Sequence, residues 1–183
     1  MIHSPARGVS TSMGFEEQLE RVHADAVRYA RGLSGSVADG DDLLQEALLH
    51  AWKAYPQLRD PARFRYWLLR IISNTHRTWA RRMQIRRWFS LDHAAEIPAR
   101  GGLAFEEKEI VRQALRKVPR VQRQALVLFE VLGMSVEEIA NVQKATPSAV
   151  KSRLSRGRMS LRDAYHRLSR WEDRHAVKIV EAG

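Results

Sequence analysis

The residues with the most distinctive chemistry lie on one predicted helix near the C-terminus, where hydroxyl and basic side chains recur. They are Ser148, Lys151, Ser152, Arg153, Ser155, Arg156 and Arg158. No acidic residue occurs between Glu138 and Asp163. Lysine and arginine bind phosphates and guanine edges, and serine hydroxyls bind either, so a short helix of this composition suits the DNA major groove.

Two short helices with a tight turn between them must position these side chains. Ser135 followed by Glu138 is a capping box and predicts the start of the first helix. Lys144–Ala145 is the predicted turn, and Thr146–Pro147 supplies a cap and a proline at the first position of the second helix. The apolar side of the second helix consists of Val150, Leu154, Gly157 and Leu161. We interpret this stretch as a helix-turn-helix; a solvated basic helix in another bundle is the alternative.

A second group of polar residues opens a helix near the N-terminus. Its members are Asp41, Asp42, Gln45 and Glu46. Acidic residues suit a helix N-terminus because of the macrodipole, so the spacing alone leaves a structural role and partner binding equally open. A single helix cannot supply ligands on the other side of a metal ion, which argues against a metal site.

The third predicted helix, after Asp60–Pro61, combines arginines with aromatic rings. The arginines are Arg63, Arg65, Arg70, Arg77, Arg81, Arg82, Arg86 and Arg87. No acid occurs between Asp60 and Asp92. Arginines that follow phosphates, beside rings that stack on unpaired bases, are typical of single-strand capture. Phe64 and Trp67 fall on the apolar stripe, so Trp79 and Trp88 are the better surface candidates.

Charge is unevenly distributed along the 183 residues, whose formal net charge is +10. Residues 1–60 hold six Lys/Arg against nine Asp/Glu, and residues 61–183 hold 25 against 12. This asymmetry favours a nucleic-acid partner for the second part. The absence of cysteine excludes disulfides and thiolate metal sites. No apolar stretch approaches a membrane span and no secretory signal is present, so we expect no membrane insertion and a cytoplasmic protein.

The periodicity predicts an all-α fold of two small helical domains joined by a flexible linker. The predicted divisions are a flexible tail (1–14), a first domain (15–90), a linker (91–105), a helix-turn-helix domain (106–168) and a C-terminal tail (169–183). No activated nucleophile, phosphate-cradling glycine loop or metal-ligand spacing occurs, so we expect neither an enzyme nor a cofactor.

The order of these features resembles the extracytoplasmic-function (group IV) sigma factors of bacterial RNA polymerase. Three blocks carry the resemblance, namely residues 41–52, 64–82 and 114–162. The resemblance implies a sigma factor that binds core polymerase at the clamp helices of its largest subunit and at its flap. It also implies promoter DNA as a partner, with the −35 and −10 elements read and the duplex melted, and an anti-sigma factor as an inhibitory partner.

The implied sites can be assigned by residue. The polymerase-binding residues would be Asp41, Asp42, Leu44, Gln45 and Glu46. The −10 contacts would be Arg70, Asn74, Arg77, Trp79, Arg81 and Arg82, and the seven residues of the C-terminal helix named above would read the −35 element. Lys144 stands where the family usually has glycine, so the turn must form without glycine's access to positive φ.

Two other functions fit parts of the pattern. A freestanding dimeric helix-turn-helix regulator would use residues 15–90 to sense or to dimerise, and would bind a palindrome with half-sites one helical turn apart. An RNA-binding protein would use the basic helix alone.

Overall fold

The structure is a computed structural model that describes the backbone of residues 8–89 and 103–181, and within these the side chains of residues 14–79, 81–82 and 107–170. The helices are α1 (Gly8–Ser34), α2 (Val37–Ala54), α3 (Phe64–Phe89), α4 (Leu103–Lys117), α5 (Arg120–Leu126), α6 (Val136–Gln143) and α7 (Pro147–Glu181). Two 3₁₀ turns, Tyr55–Gln57 and Pro61–Arg63, join α2 to α3, and a π-helical turn, Val127–Val131, follows α5. The described residues contain no strand, as the all-α prediction requires.

Helices α1 to α3 form the N-terminal domain around an aromatic cluster. The ring of Phe15 meets those of Trp52, Tyr55 and Phe64 edge-on at centroid distances of 5.3, 5.3 and 5.6 Å. Ser36 caps α2, because its hydroxyl accepts a hydrogen bond from the Asp39 amide at 3.1 Å. The start of α2 is thereby fixed ahead of the acidic residues, which lie on its first three turns.

Helices α4 to α7 form the C-terminal domain, in which α7 packs along α4 and α5. Gly157 allows α7 to approach α5 closely, since a Cβ atom there would lie 3.1 Å from Cγ of Leu126. Helix α7 continues to Glu181 and so includes residues 169–181 of the predicted C-terminal tail; no glycine or proline interrupts residues 158–181. Helix α1 likewise begins at Gly8, within the predicted N-terminal tail. Most of the predicted linker, residues 91–102, lies outside the described residues.

The two domains pack directly against each other and share one hydrophobic core. Gly32 on α1 faces Val127, whose Cβ would lie 3.6 Å from a Cβ built on the glycine. The guanidinium of Arg123 donates to the Leu33 carbonyl at 2.7 Å, and that of Arg116 donates to the Gly35 carbonyl at 3.1 Å. The carbonyls at the C-terminal end of α1 have no amide donor in a following helical turn. These two arginines supply the missing hydrogen bonds from the other domain. We call this packing the closed arrangement.

No helix in the described part of the chain is both long and apolar enough to cross a membrane.

Candidate nucleic-acid and protein interfaces

The helix-turn-helix has the predicted local geometry. The Ser135 hydroxyl accepts from the Glu138 amide at 3.2 Å, and Oε2 of Glu138 accepts from the Ser135 amide at 2.8 Å, which completes the capping box. The Thr146 hydroxyl caps α7 by accepting from the Ala149 amide at 3.2 Å. Between the helices, Lys144 adopts a left-handed conformation with φ 48° and ψ 54°. This lysine therefore takes the backbone geometry that favours glycine, at some cost in strain.

Five of the seven predicted −35 contacts form an exposed row on α7. These are Ser148, Lys151, Ser152, Ser155 and Arg156. The opposite side of the helix is buried through Val150, Leu154 and Gly157. A polar and basic face backed by an apolar one leaves the exposed row available to a major groove.

The other two predicted −35 contacts are engaged within the domain. Arg153 donates to Oε1 of Gln143 at 2.8 Å. Arg158 donates to Glu130 at 2.8 and 3.0 Å, and its guanidinium carbon lies 5.2 Å from the centre of the Phe129 ring. Among the arginines of this helix predicted to contact the −35 element, Arg158 is thus paired with an acidic side chain and stacked on a ring.

The predicted −10 contacts on α3 differ in their surroundings: some lie at the contact between the two domains and others are exposed to solvent. Arg70 donates to the backbone carbonyls of Asn141 and Val142, so α6 of the helix-turn-helix occupies its guanidinium. Asn74, Arg77 and Arg81 are exposed. In the closed arrangement α6 therefore covers part of the predicted −10 surface.

Trp79 is less available than the sequence predicts. Its ring is half-buried and stacks on the His76 imidazole, with centroids 6.4 Å apart and an interplanar angle of 28°. Arg82 is exposed but forms an ion pair with Glu46 of α2. This pair joins a predicted −10 residue to a predicted polymerase-binding residue. The other aromatic surface candidate, Trp88, has a side chain outside the described residues.

The acidic residues at the start of α2 differ in their surroundings. Asp41 forms a bidentate ion pair with Arg31, with distances of 2.8 and 3.0 Å. Hydrogen bonding to that guanidinium lowers the pKa of the Asp41 carboxyl. Asp42 and Gln45 are exposed, whereas Leu44 is only 6% exposed and packs in the core. In this structure, Leu44 supports the helix from beneath and Asp42 and Gln45 face solvent.

Two large apolar residues on α2 were not predicted as site residues. Leu49 is 63% exposed and Trp52 is 45% exposed. Leu49 lies one turn beyond Gln45, so a helical wheel would have placed it on the polar face. Together with Asp42 and Gln45, these residues give α2 an exposed row that is polar at one end and apolar at the other, as protein interfaces often are.

Glu138 and His76, which lie at the contact between the domains, both have shifted pKa values. Oε1 of Glu138 accepts from the Tyr66 hydroxyl at 2.8 Å, and a nitrogen of Arg65 lies 3.8 Å away. The bond from the Ser135 amide, and next that from Tyr66, lower the pKa of Glu138. His76 is 3% exposed, and its Nδ1 has no hydrogen-bond partner among the described residues. Burial, with Arg123 and Arg120 nearby, lowers the pKa of His76 to about 4.

No group of three or more His, Cys, Asp or Glu residues with metal-binding geometry occurs among the residues that the structure describes.

Comparison with known families assigns both domains. Residues 19–87 match Sigma-70 region 2, and residues 108–161 match Sigma-70 region 4. The ECF RNA polymerase sigma factor SigM of Mycobacterium tuberculosis is 31% identical over 147 residues, which are 80% of this chain and 74% of SigM. The chain belongs to the family of extracytoplasmic-function RNA polymerase sigma factors.

Relatives differ in length from this chain. The probable RNA polymerase sigma factor RfaY of Xanthomonas campestris is 31% identical over 143 residues, which are 73% of this chain but only 36% of RfaY. Among solved structures, the sigma factor RpoE of Bartonella quintana, crystallised with the anti-sigma factor NepR, is similar with a TM-score of 0.63 and 24% identity. That match covers 82% of this chain and 95% of RpoE, and it supports the fold.

Proposed function

We propose that this protein binds core RNA polymerase, directs it to promoters by reading −35 and −10 elements, and assists promoter melting. The observation that carries the proposal is the presence, in one chain, of an exposed acidic and apolar row on α2 and two separate basic surfaces on α3 and α7. A protein that only bound DNA would need the basic surfaces but not the row on α2.

Polymerase binding is assigned to α2. Asp42 and Gln45 would form polar contacts, and Leu49 and Trp52 would supply the apolar area that makes most of the binding energy in protein interfaces. Leu44 would hold the helix in place from the core. The partner surfaces would be the clamp helices of the largest polymerase subunit, with the flap meeting the C-terminal domain.

Promoter reading is assigned to α7 and α3. The exposed row from Ser148 to Arg156 would enter the major groove at the −35 element. On α3, Asn74, Arg77 and Arg81 would contact the −10 element, where strand separation costs a few kcal/mol per unstacked base. Arg70 would join them only after the domains separate, because its present partners lie on α6. Trp79 and Arg82 would have to leave His76 and Glu46, which belong to the same domain.

The closed arrangement must open for both elements to be read at once. The elements are centred about 25 base pairs apart, which is about 85 Å of B-form DNA. Arg70 of the −10 surface, however, is hydrogen-bonded to the helix-turn-helix itself. We therefore propose that the closed arrangement is a resting state and that polymerase binding separates the domains.

The remaining assignments follow from this function. The chemistry of RNA synthesis would belong to the polymerase, so this chain would be a non-enzymatic subunit acting in the cytoplasm. An anti-sigma factor is a further proposed partner, since the related RpoE was crystallised with one. Such an inhibitor would act by holding α2 or the two DNA surfaces out of reach.

The test is transcription from genomic DNA by core polymerase with and without the purified chain. We expect defined start sites that appear only when both are present, and a monomer in the absence of polymerase. A stable dimer that binds a palindromic site unaided, with no association with core polymerase, would overturn the proposal in favour of a freestanding regulator.

A further inference from the structure

A basic cavity lies on the seam between the two domains. It has a volume of about 350 Å³ and is lined by α3 on one side and by α5, α6 and α7 on the other. Four cationic side chains reach it, namely Arg70, Arg120, Lys144 and Arg153. No acidic residue is among its lining residues, all of which belong to the described part of the chain.

Positive charge in this cavity is not neutralised. Arg70 and Arg153 are hydrogen-bonded to neutral groups, the first to two backbone carbonyls and the second to the Gln143 amide oxygen. Arg120 is half-buried, and no described acid pairs with it. Burial, and next the neighbouring Arg77, lower the pKa of Arg120. An anion placed here would relieve repulsion that the protein otherwise sustains.

The lining residues also limit the kind of anion. Val121 and Val142 are the apolar members, and none of the lining residues is aromatic, so a nucleobase would find no ring to stack on. The amine of Lys144 is exposed, and the Asn74 amide, also exposed, adds a neutral donor. Guanidinium, ammonium and amide donors around a small space match the oxygens of a compact, multiply charged phosphate.

We propose that this cavity binds an inorganic oligophosphate of the size of tripolyphosphate and that the bound anion holds the two domains closed. The second part follows from linkage, because α3 and α5–α7 form the cavity only when packed together. A regulatory role for the bound anion rests on the proposed function, because an anion that holds the domains closed would keep Arg70, Asn74 and Arg153 from contacting a promoter. Binding itself requires neither polymerase nor DNA.

The direct test is calorimetric titration of the full chain with sodium tripolyphosphate at constant ionic strength, with sulfate as a comparison. Arg120→Gln should weaken tripolyphosphate binding by about tenfold, because it removes a charged donor within the cavity. Arg167→Gln makes the same charge change on an exposed part of α7 that does not line the cavity, and should change binding less than twofold. Lys144→Gln provides a second cavity variant at an exposed position, in case Arg120→Gln fails to fold.

Two results would overturn the site. One is tripolyphosphate affinity no greater than that of sulfate, and the other is equal weakening by the cavity variants and by Arg167→Gln. A thymidine oligonucleotide is the third titrant. If it alone binds in an Arg120-dependent way, the cavity is part of a DNA-strand path instead.

Closure is measured separately by energy transfer between dyes. The chain has no cysteine, so Ala24→Cys on α1 and Met159→Cys on α7 introduce single labelling sites at exposed positions of the two domains. Tripolyphosphate should raise the closed fraction in the parent chain but not in Arg120→Gln. Binding without any change in energy transfer would overturn the clamping role, and neither outcome depends on whether the chain is a sigma factor.

Discussion

The Tyr66 hydroxyl on α3 donates a hydrogen bond to Oε1 of Glu138 at 2.8 Å, and Oε2 of the same carboxylate accepts from the Ser135 amide at 2.8 Å. One side chain thus caps the first helix of the helix-turn-helix and ties it to the other domain. Because each oxygen has its own partner, the two roles can be separated by mutation. Removing the Tyr66 hydroxyl leaves the capping box intact, whereas removing the Glu138 carboxylate breaks the bond to Tyr66 and one of the two bonds of the capping box.

Tyr66→Phe should therefore loosen the closed arrangement without unfolding α6. A hydrogen bond to a carboxylate at a half-buried site contributes about 1 kcal/mol, so the open fraction should rise by about fivefold. Energy transfer between labels on α1 and α7 measures this change. Tyr165→Phe, on α7 and away from the α3–α6 contact, is the matched control. An unchanged open fraction in Tyr66→Phe would mean that other contacts set the position of α6.

Local structure was predictable from the sequence because the signals are local. Ser135 and Glu138 predict a capping box, and Thr146–Pro147 predicts the start of α7; both are observed. The apolar spacing of Val150 and Leu154 correctly predicts the buried side of that helix. Each signal involves residues within one or two turns of each other, where propensity and side-chain capping decide the outcome.

Packing between the domains was not predictable in this way. The contact of Gly32 with Val127 joins residues far apart in the sequence, and neither residue is unusual in its own helix. For the same reason, periodicity could not show that Arg70 would be held by the carbonyls of α6, or that the Trp79 ring would lie on His76. Exposure of Leu49 was visible in principle, since it shares a helical face with Gln45, but leucine is among the residues most often buried, so its type alone suggested a core position.

The Gly32–Val127 contact offers a way to lock the closed arrangement. The expected Cβ–Cβ separation of 3.6 Å falls in the range of about 3.5–4.5 Å that disulfides require. Gly32→Cys combined with Val127→Cys should form a disulfide on oxidation, with no native cysteine to compete. If opening is required for promoter recognition, the oxidised double variant should lose at least about 90% of its transcription activity, since the closed chain cannot span about 85 Å of DNA.

Reduction of that disulfide should restore the activity, because it removes the covalent link and the contact can separate again. Val127→Cys alone should respond to neither oxidant nor reductant. Full activity in the oxidised double variant, with the disulfide verified by mass, would show that the closed arrangement is compatible with function.

His76 should make the stability of the fold depend on pH. Its pKa of about 4 in the folded chain lies below the unfolded value of about 6.5. The unfolded state therefore binds more protons between these values, and the free energy of unfolding should fall as the pH drops from 6.5 towards 4. Between pH 7 and pH 5 the loss should be on the order of 2 kcal/mol.

Urea unfolding at both pH values tests this, with His76→Leu expected to remove that part of the pH dependence. His23→Leu, at an exposed position, should retain it. The carboxylates contribute equally to the pH dependence of both variants. The difference in pH dependence between His76→Leu and His23→Leu therefore reports the His76 imidazole. Identical pH dependence in His76→Leu and the parent chain would contradict a buried neutral His76.

Substitution of Leu49 should weaken polymerase binding without affecting stability. The Leu49 side chain is 63% exposed, so the charge of Leu49→Asp stays in solvent in the free protein. In the complex, the same substitution removes an apolar contact and places a charge where the partner would bury it. Loss of an anchoring leucine and desolvation of a carboxylate should together cost about 2–4 kcal/mol of affinity. Binding to core polymerase by fluorescence anisotropy measures the effect.

Ala24→Asp is the control for Leu49→Asp, since it adds the same charge at an exposed position of α1, outside the row on α2 and outside the C-terminal domain. Asp42→Ala with Gln45→Ala should weaken polymerase binding in the same direction as Leu49→Asp. Normal affinity in Leu49→Asp would remove the apolar half of the proposed polymerase surface and leave only the polar half.

The two neighbouring arginines of α7 should differ in their effects on promoter choice. Arg156 lies on the exposed row and its Nε donates only within its own helix, to the Ser152 carbonyl at 3.3 Å, so it can turn to a base edge. Arg156→Ala should then cost about 1–3 kcal/mol in promoter affinity and relax sequence preference at one −35 position. Arg158→Ala removes the same charge from a side chain held by Glu130 and Phe129, so it should leave sequence preference unchanged and affect stability instead. Transcription from a library of randomised −35 sequences distinguishes them, and a preference altered by Arg158→Ala but not by Arg156→Ala would mean that α7 enters the groove in a different rotation.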